Sequence, residues 1–197
     1  MTLKLNTITQ KYECVWHFTK LPEEFCNSIE NDLNKYISED SLRYGTVGSD
    51  NVLNEKIRKN KICFFDDNHW VAAFIHFYIM KSNEENFNYD ITSFQDNCLQ
   101  YTSYEEGEYY NWHVDGSVIS PTGKQRKLSF SLQLSDPSEY EGGDLQFLDV
   151  EQNSMFFAPK ERGTLIIFDS RIKHRVKKIK KGKRKSIVGW IEGPRWK

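Results

Sequence analysis

The sequence lacks the features that mark several protein classes. Its four cysteines, Cys14, Cys26, Cys63 and Cys98, stand far apart in 197 residues with no C-x-x-C pair. That spacing indicates neither a zinc site nor a disulfide framework, and free, mostly buried thiols are expected instead. No stretch approaches the roughly 20 consecutive apolar residues that cross a bilayer. The opening Met1-Thr-Leu-Lys-Leu-Asn leads into no apolar signal region, so a cytoplasmic location and no membrane partner are expected. Repeats and low-complexity linkers are also missing. What remains is 38% hydrophobic and 14% aromatic residues. This suits one domain with a sizeable core and leaves little room for two.

The formal net charge of -1 hides an asymmetry. Residues 171–185 hold ten of the 27 Lys and Arg and no acid, leaving 17 basic against 28 acidic side chains elsewhere. A basic ribbon on an acidic body reads first as a tail or a contact surface.

The first half of the chain mixes periods. Glu13-Cys-Val-Trp-His-Phe reads as a strand, and Pro22 opens a helix whose Phe25, Ile29, Leu33 and Tyr36 recur at spacings of three and four. A second helix, capped by Asp66 or Asp67, would bury Trp70, Phe74, Phe77, Tyr78 and Ile79 and close at Lys81-Ser-Asn. Between the helices, Tyr44-Gly-Thr-Val-Gly-Ser-Asp-Asn has the chemistry of a mobile loop. From Asn88 the period becomes two, with strands expected at 89–94, 99–104, 128–134, 144–147, 164–169, 175–179 and 186–191. This pattern is a mainly β protein, an antiparallel sandwich or barrel with helices packed outside. In Leu128-Ser-Phe-Ser-Leu-Gln-Leu the apolar set alternates strictly with Ser129, Ser131 and Gln133. Alternation alone leaves open whether that polar face meets bulk water or a wet cavity.

Candidate chemistry lies at Trp112-His113-Val-Asp115. Residues two apart in a strand share a face, so His113 and Asp115 can present a nitrogen and an oxygen to one point. A lone His-x-Asp is a weak motif. Of the other histidines, His69 and His76 belong in or beside the second helix in surface or packing roles. His174 follows the apolar strand Thr164-Leu-Ile-Ile-Phe-Asp169 and can return on a neighbouring strand. Two histidines and a carboxylate with open positions suit Fe(II) oxygen chemistry better than structural zinc.

Several segments together carry a family resemblance. They are Tyr104-Glu-Glu-Gly107-Glu-Tyr-Tyr110-Asn-Trp-His113-Val-Asp115, the serine-rich strand ending in Ser-Asp136-Pro, Tyr140-Glu-Gly142-Gly143-Asp-Leu, and His174 followed ten residues later by Arg184. They resemble the Fe(II)/2-oxoglutarate dioxygenases of the prolyl 4-hydroxylase type, and within these the PKHD-type hydroxylases found in bacteria and tailed phages. Upstream, Lys56-Ile-Arg-Lys-Asn-Lys-Ile, the Trp70 helix and Phe87-Asn-Tyr-Asp-Ile are similar to the family's entry segments.

The resemblance implies a double-stranded β-helix (jelly-roll) core with bracing α-helices. One domain would span 1–197, with 1–88 as helix-rich support and 89–197 as core. His113, Asp115 and His174 would hold Fe(II), and 2-oxoglutarate would chelate the metal while its far carboxylate meets Arg184, a guanidinium that stays charged when buried. Tyr104 matches a tyrosine that bonds the same carboxylate, and Gln133, Ser129 and Ser131 fall on cavity-facing positions. Two serines where relatives often carry bulky residues suggest a roomier pocket. Strand alternation puts Arg184, Ser186, Val188 and Trp190 on one face. Tyr110, Arg126 and Trp190 match positions facing a prolyl substrate. Gly142-Gly143 reads as a structural turn or bulge, and Asp136 and Asp169 as strand and turn ends.

The implied reaction consumes O2, with ascorbate as a candidate reductant, hydroxylates a C–H bond and releases succinate and carbon dioxide. A proline-containing peptide or protein is the first substrate expectation and a free amino acid or small metabolite the second. A nucleic acid ranks third, because oxygenases of that kind carry a second arginine six residues after the first and position 190 is Trp. A non-enzymatic basic-surface binding module is the remaining alternative. With His174 and Arg184 inside the ribbon, its best reading becomes an active-site hairpin.

Overall fold

The computed structural model describes residues 6–7, 16–48, 52–149 and 154–196. In chain order the strands are β1 (Asn6–Thr7), β2 (Trp16–Lys20), β3 (Arg43–Tyr44), β4 (Arg58–Lys59), β5 (Lys61–Asp66), β6 (Ser93–Phe94), β7 (Cys98–Tyr104) and β8 (Tyr109–His113). They continue with β9 (Gln125–Gln133), β10 (Tyr140–Gly142), β11 (Leu145–Asp149), β12 (Ser154–Phe157), β13 (Thr164–Asp169), β14 (Lys173–Val176), β15 (Ile179–Gly182) and β16 (Arg184–Gly193). Helices α1 (Glu23–Leu33) and α2 (Trp70–Ser82) interrupt the first half.

The described strands form two main antiparallel sheets. The major sheet runs β1-β2-β13-β9-β16-β7-β5-β3 with β6 also on β16, the minor sheet runs β12-β11-β14-β8-β4, and β10 pairs with β15 apart from both. The segment before residue 89 therefore supplies strands to both sheets as well as the helices. The Lys61–Asp66 strand pairs with β7 along its whole length. Its Ile62-Cys-Phe-Phe run lacks alternation, which hides it from a period-two reading.

Alternation explains the layers. Leu128, Phe130 and Leu132 of β9 join Leu165 and Ile167 of β13 and Ile187 and Ile191 of β16 in a core with both helices. The opposite faces look between the sheets, where Ile166, Phe168, Phe147, Val176 and Tyr104 form a second core. Ser129, Ser131 and Gln133 are buried on that inner side, so the polar face does not meet bulk water.

Both helices bury part of the face their spacing predicts, Ile29 and Leu33 in α1 and Tyr78 and Ile79 in α2, and turn most of its large aromatics outward. In α1 the buried set is Cys26, Ile29 and Leu33, while Phe25 and Tyr36 are exposed. In α2 it is Val71, Ala72, Ile75, Tyr78, Ile79 and Ser82, while Trp70 and Phe77 face outward. Small and β-branched residues let this helix lie close to the sheet, and the large aromatics ride on its flank. There Phe74 stacks on Phe25 with centroids 5.0 Å apart, and the Trp70 indole N–H donates to Asp32. His69, not an aspartate, caps α2, its Nδ1 accepting from the Val71 N–H at 3.4 Å. The Asp66 carboxylate accepts instead from the Asn68 N–H in the preceding turn.

The strand expected over 89–94 shrinks to Ser93–Phe94. A wide helical turn, Asn83–Phe87, follows α2, and Asn88 takes a left-handed backbone. The Asn83 side chain then accepts from the Tyr89 N–H and donates to its carbonyl, which satisfies that backbone without a sheet partner.

The basic ribbon is not a single hairpin. Its three strands belong to three different sheets: β14 to the minor one, β15 to the β10 pair and the start of β16 to the major one. The chain crosses the molecule within 15 residues, helped by Gly142 at φ +81, where a side-chain carbon would overlap the Lys178 carbonyl. A register shift at Glu141/Gly142 makes this a bulge. Of the thiols, Cys26 is buried and Cys63 and Cys98 half-buried, while Cys14 lies outside the described residues. The same holds for part of the strand read over 13–18 and for residues 49–51 of the glycine-rich loop.

Candidate active site

β8 and β14 are neighbours in the minor sheet, and their register sets His113 directly opposite His174. Asp115 follows two residues after His113 and bends into the space between the sheets. One ligand atom from each of the three residues lies within 4.8 Å of the others. His113 Nε2 stands 3.7 Å from Asp115 Oδ1, and His174 Nε2 stands 3.5 Å from Asp115 Oδ2.

The ring orientations are set by backbone. His113 Nδ1 lies 2.8 Å from the Asn111 carbonyl and His174 Nδ1 lies 3.0 Å from the Ile172 carbonyl. A carbonyl can only accept, so each Nδ1 carries the proton and each Nε2 offers its lone pair towards Asp115. Ser129 Oγ donates to Asp115 Oδ2 at 2.8 Å and lies 2.9 Å from Ser170 Oγ. This donor set fits a metal ion.

Electrostatics agree with that use. Burial, helped by the neighbouring His174, pushes the His113 imidazolium down to about 3, so the ring is neutral at physiological pH. Burial alone would raise the Asp115 carboxyl, but His174, His113 and Arg126 outweigh it and hold the group well below the usual carboxylate range. Neutral imidazoles and an ionised carboxylate are the forms that ligate metal.

A cavity of about 60 Å³ extends from these ligands between the sheets. Arg184, 2% exposed, lines it and donates from Nη2 to Gln133 Oε1 at 2.7 Å. Tyr104 is Arg184's register partner on β7, with the guanidinium 5.6 Å from its ring centroid. Burial raises the Tyr104 phenol against the pull of Arg58 and Arg184. Ser131 accepts from Gln133 Nε2 at 2.9 Å, and Ser186, also in the wall, has a buried hydroxyl with no partner among the described residues. Such an orphan suits a cavity built to receive a polar ligand.

Outside the ligands the cavity opens into a groove of about 650 Å³. Tyr110 stacks on His113 with ring centroids 3.6 Å apart, and burial raises its phenol to about 12. Arg126 lies 3.7 Å over the Trp190 ring, its Nη1 3.7 Å from Asp115 Oδ1 and its Nε donating to Gln95. The eight residues singled out in the sequence, His113, Asp115, His174, Arg184, Tyr104, Tyr110, Arg126 and Trp190, thus converge on one continuous space.

Other candidates fall elsewhere. His69 meets Asp32 and Trp70, and His76 packs edge-on against Phe94. Asp136 caps the turn at Ser138, and Asp169 ties Arg171 to Tyr89. Gln100, Thr102 and Arg58 also line the site and were missed in the sequence. The first two alternate with Tyr104 along β7, a signal that was readable; Arg58 comes from a two-residue strand with no periodicity, within the 56–62 segment that the resemblance marked without giving it a role.

Residues 99–192 match the 2OG-Fe(II) oxygenase superfamily, a segment that contains every one of those eight positions. Over that segment, just under half of the chain, the sequence is similar to this superfamily. Among relatives of the chain, a PKHD-type hydroxylase of Synechococcus sp. (strain CC9902) is 43% identical over 88 residues, 45% of this chain and 38% of the relative. One of Idiomarina loihiensis is 34% identical over 89 residues, 45% of this chain and 39% of the relative. The matches span about two fifths of these relatives' own length.

Two solved structures share the chain's fold. A Pseudomonas putida prolyl-4-hydroxylase aligns with TM-score 0.70 at 18% identity over 90% of this chain and 92% of its own. A Trichoplax adhaerens prolyl hydroxylase, in complex with a hypoxia inducible factor oxygen degradation domain peptide fragment, aligns at 0.73 with 21% identity over 89% and 82%. The chain is thus similar in fold to prolyl 4-hydroxylases and, over its second half, in sequence to PKHD-type hydroxylases. The matched superfamily implies Fe(II), 2-oxoglutarate and O2, and His113, Asp115 and His174 could hold the iron.

Proposed function

We propose that the protein is an Fe(II)- and 2-oxoglutarate-dependent hydroxylase whose prime substrate is a prolyl residue in a peptide or protein, with succinate and carbon dioxide as co-products. The observation that carries this is the buried His113–Asp115–His174 set opening onto a cavity lined by Arg184. Bound iron supplies the redox chemistry that divides O2 between 2-oxoglutarate and a substrate C–H bond.

The chain's own residues bind, orient and exclude water. Asn111 and Ile172 fix the imidazoles through their carbonyls, and Ser129 fixes Asp115. Arg184 takes the far carboxylate of 2-oxoglutarate in a dry pocket where a bidentate, charge-assisted pair is strong. Gln133 holds the guanidinium in plane, and Tyr104 adds a hydroxyl. In the groove, Tyr110, Trp190 and Arg126 offer aromatic faces and a cation to an apolar ring flanked by carbonyls. The peptide bound to the Trichoplax relative supports a peptide in a groove of this kind.

The test is mass spectrometry of prolyl peptides, free proline and cell extract incubated with Fe(II), ascorbate and 2-oxoglutarate, with succinate measured alongside. One added oxygen on a prolyl peptide but not on free proline is expected. The reverse selects the free amino acid, and turnover like wild type in His174→Ala would sink the metal assignment.

A further inference from the structure

Arg58 lines both the inner cavity and the outer groove, at the threshold between them. It is 6% exposed, yet no carboxylate of the described residues pairs with it. Its hydrogen-bond acceptors are neutral. Asn60 Oδ1 accepts from Nε at 2.7 Å and the Thr46 carbonyl accepts from Nη1 at 3.0 Å, which leaves Nη2 and one N–H of Nη1 without an acceptor among the described residues. The seat is purpose-built: Asn60 is fully buried, and a side-chain carbon on Gly45 would come within 2.5 Å of both Arg58 Nε and Asn60 Oδ1. The guanidinium lies 4.7 Å over the Tyr110 ring, which is itself stacked on His113. The cation therefore stands beside the metal-binding end of the cavity.

A buried guanidinium cannot shed its proton, so leaving it unpaired is costly and a counter-anion recovers that cost. The proposed loading of the site does not supply one. A divalent metal and Arg184 together cancel Asp115 and the two carboxylates of 2-oxoglutarate, and neither carboxylate is left over for Arg58. Nearby Arg126 already leans on Asp115 and Gln95.

We propose that Arg58 is the recognition cation for a carboxylate carried by the prime substrate, on an acidic side chain or a free terminus next to the carbon that is hydroxylated. This rests on the 2-oxoglutarate reading of the site, because that loading occupies Arg184 and leaves Arg58 with no counter-charge among the described residues. Arg58 is a specificity residue and takes no part in the oxidation.

Two measurements test it. In the first, protein labelled with ¹⁵N-arginine and loaded with Zn(II) and 2-oxoglutarate is titrated with acetate and with acetamide. The Arg58 Nε–H resonance, identified by its loss in R58Q, shifts saturably with acetate and stays still with acetamide. An unmoved resonance overturns the proposal whatever the substrate is.

In the second, matched ligands are compared for binding to the Mn(II)- and 2-oxoglutarate-loaded protein: Pro-Asp against Pro-Asn peptides, and free proline against prolinamide. The carboxylate member binds about tenfold tighter or more. That preference disappears in R58Q while 2-oxoglutarate affinity stays as in wild type, and R58K, which also serves if R58Q misfolds, keeps part of it. A preference that survives R58Q, or a fall in 2-oxoglutarate affinity without a change in preference, overturns the assignment. An acetate response with no binding of any prolyl ligand sinks the prolyl reading and leaves Arg58 standing. The peptide and free-proline arms separate a side-chain from a terminal carboxylate.

Discussion

Ser129 donates to the same Asp115 oxygen that faces His174. Outer partners of this kind orient a ligand, and losing one weakens metal binding by about 10–100-fold. Ser129→Ala is therefore expected to raise the Mn(II) dissociation constant by that factor with the fold intact, read by calorimetry and circular dichroism. Unchanged affinity would mean that Arg126 and Trp190 orient Asp115 without it. Arg184→Ala acts on the co-substrate instead. Losing a charge-assisted bond, worth about 1.5–3 kcal/mol, is expected to raise the 2-oxoglutarate KM at least tenfold and to leave turnover at saturation much less affected. A KM like wild type would remove Arg184 from the anchor. The two residues differ in how they could be read. Arg184 stands at a motif spacing from His174, whereas the Ser129 contact to Asp115 needs β9 laid beside the loop after β8, which one-dimensional spacing does not contain.

At the scale of elements, the alternating strands were legible and the helix faces only in part, since Ile29, Leu33, Tyr78 and Ile79 are buried as expected and Phe25, Trp70 and Phe77 are not. A strand has two faces, and β9 and β16 each place one set of side chains between the sheets and the other against the helices. A helix rich in large apolar residues can bury any of several stripes. In α2 the tight stripe of Val71, Ala72, Ile75 and Ile79 faces the sheet. Phe147→Ala and Phe77→Ala separate the two situations. Phe147 is fully buried against Phe156, Phe168 and His174, so its truncation costs about 3–5 kcal/mol in urea unfolding. Phe77 is 59% exposed and its truncation stays within about 0.5 kcal/mol. Equal costs would refute the observed helix face. The ribbon was legible as strands, and Gly142-Gly143 as a turn or bulge, but not as a crossing of three sheets, because sequence does not record partner choice.

At the scale of the whole molecule, the proposed ligands divide between the two sheets. His113 and His174 stand on β8 and β14 of the minor sheet, whereas Arg184 and Gln133 stand on β16 and β9 of the major one. Metal alone would tie β8 to β14 and the Asp115 loop. Adding 2-oxoglutarate would bridge the sheets, since one end of it meets the metal and the other meets Arg184. Anything that binds only the folded state stabilises it by mass action, by about 2.7 kcal/mol at a hundredfold excess over its dissociation constant. Mn(II) is thus expected to raise the melting temperature and to slow amide exchange in β8 and β14. 2-Oxoglutarate added to the Mn(II) form should raise it again and extend protection to β9 and β16, and chelation should reverse both steps. In Arg184→Ala the first step should persist and the second should fade. Protection that reaches β16 with metal alone would show that the sheets are already coupled through their shared core, and the bridging role of the co-substrate would fall.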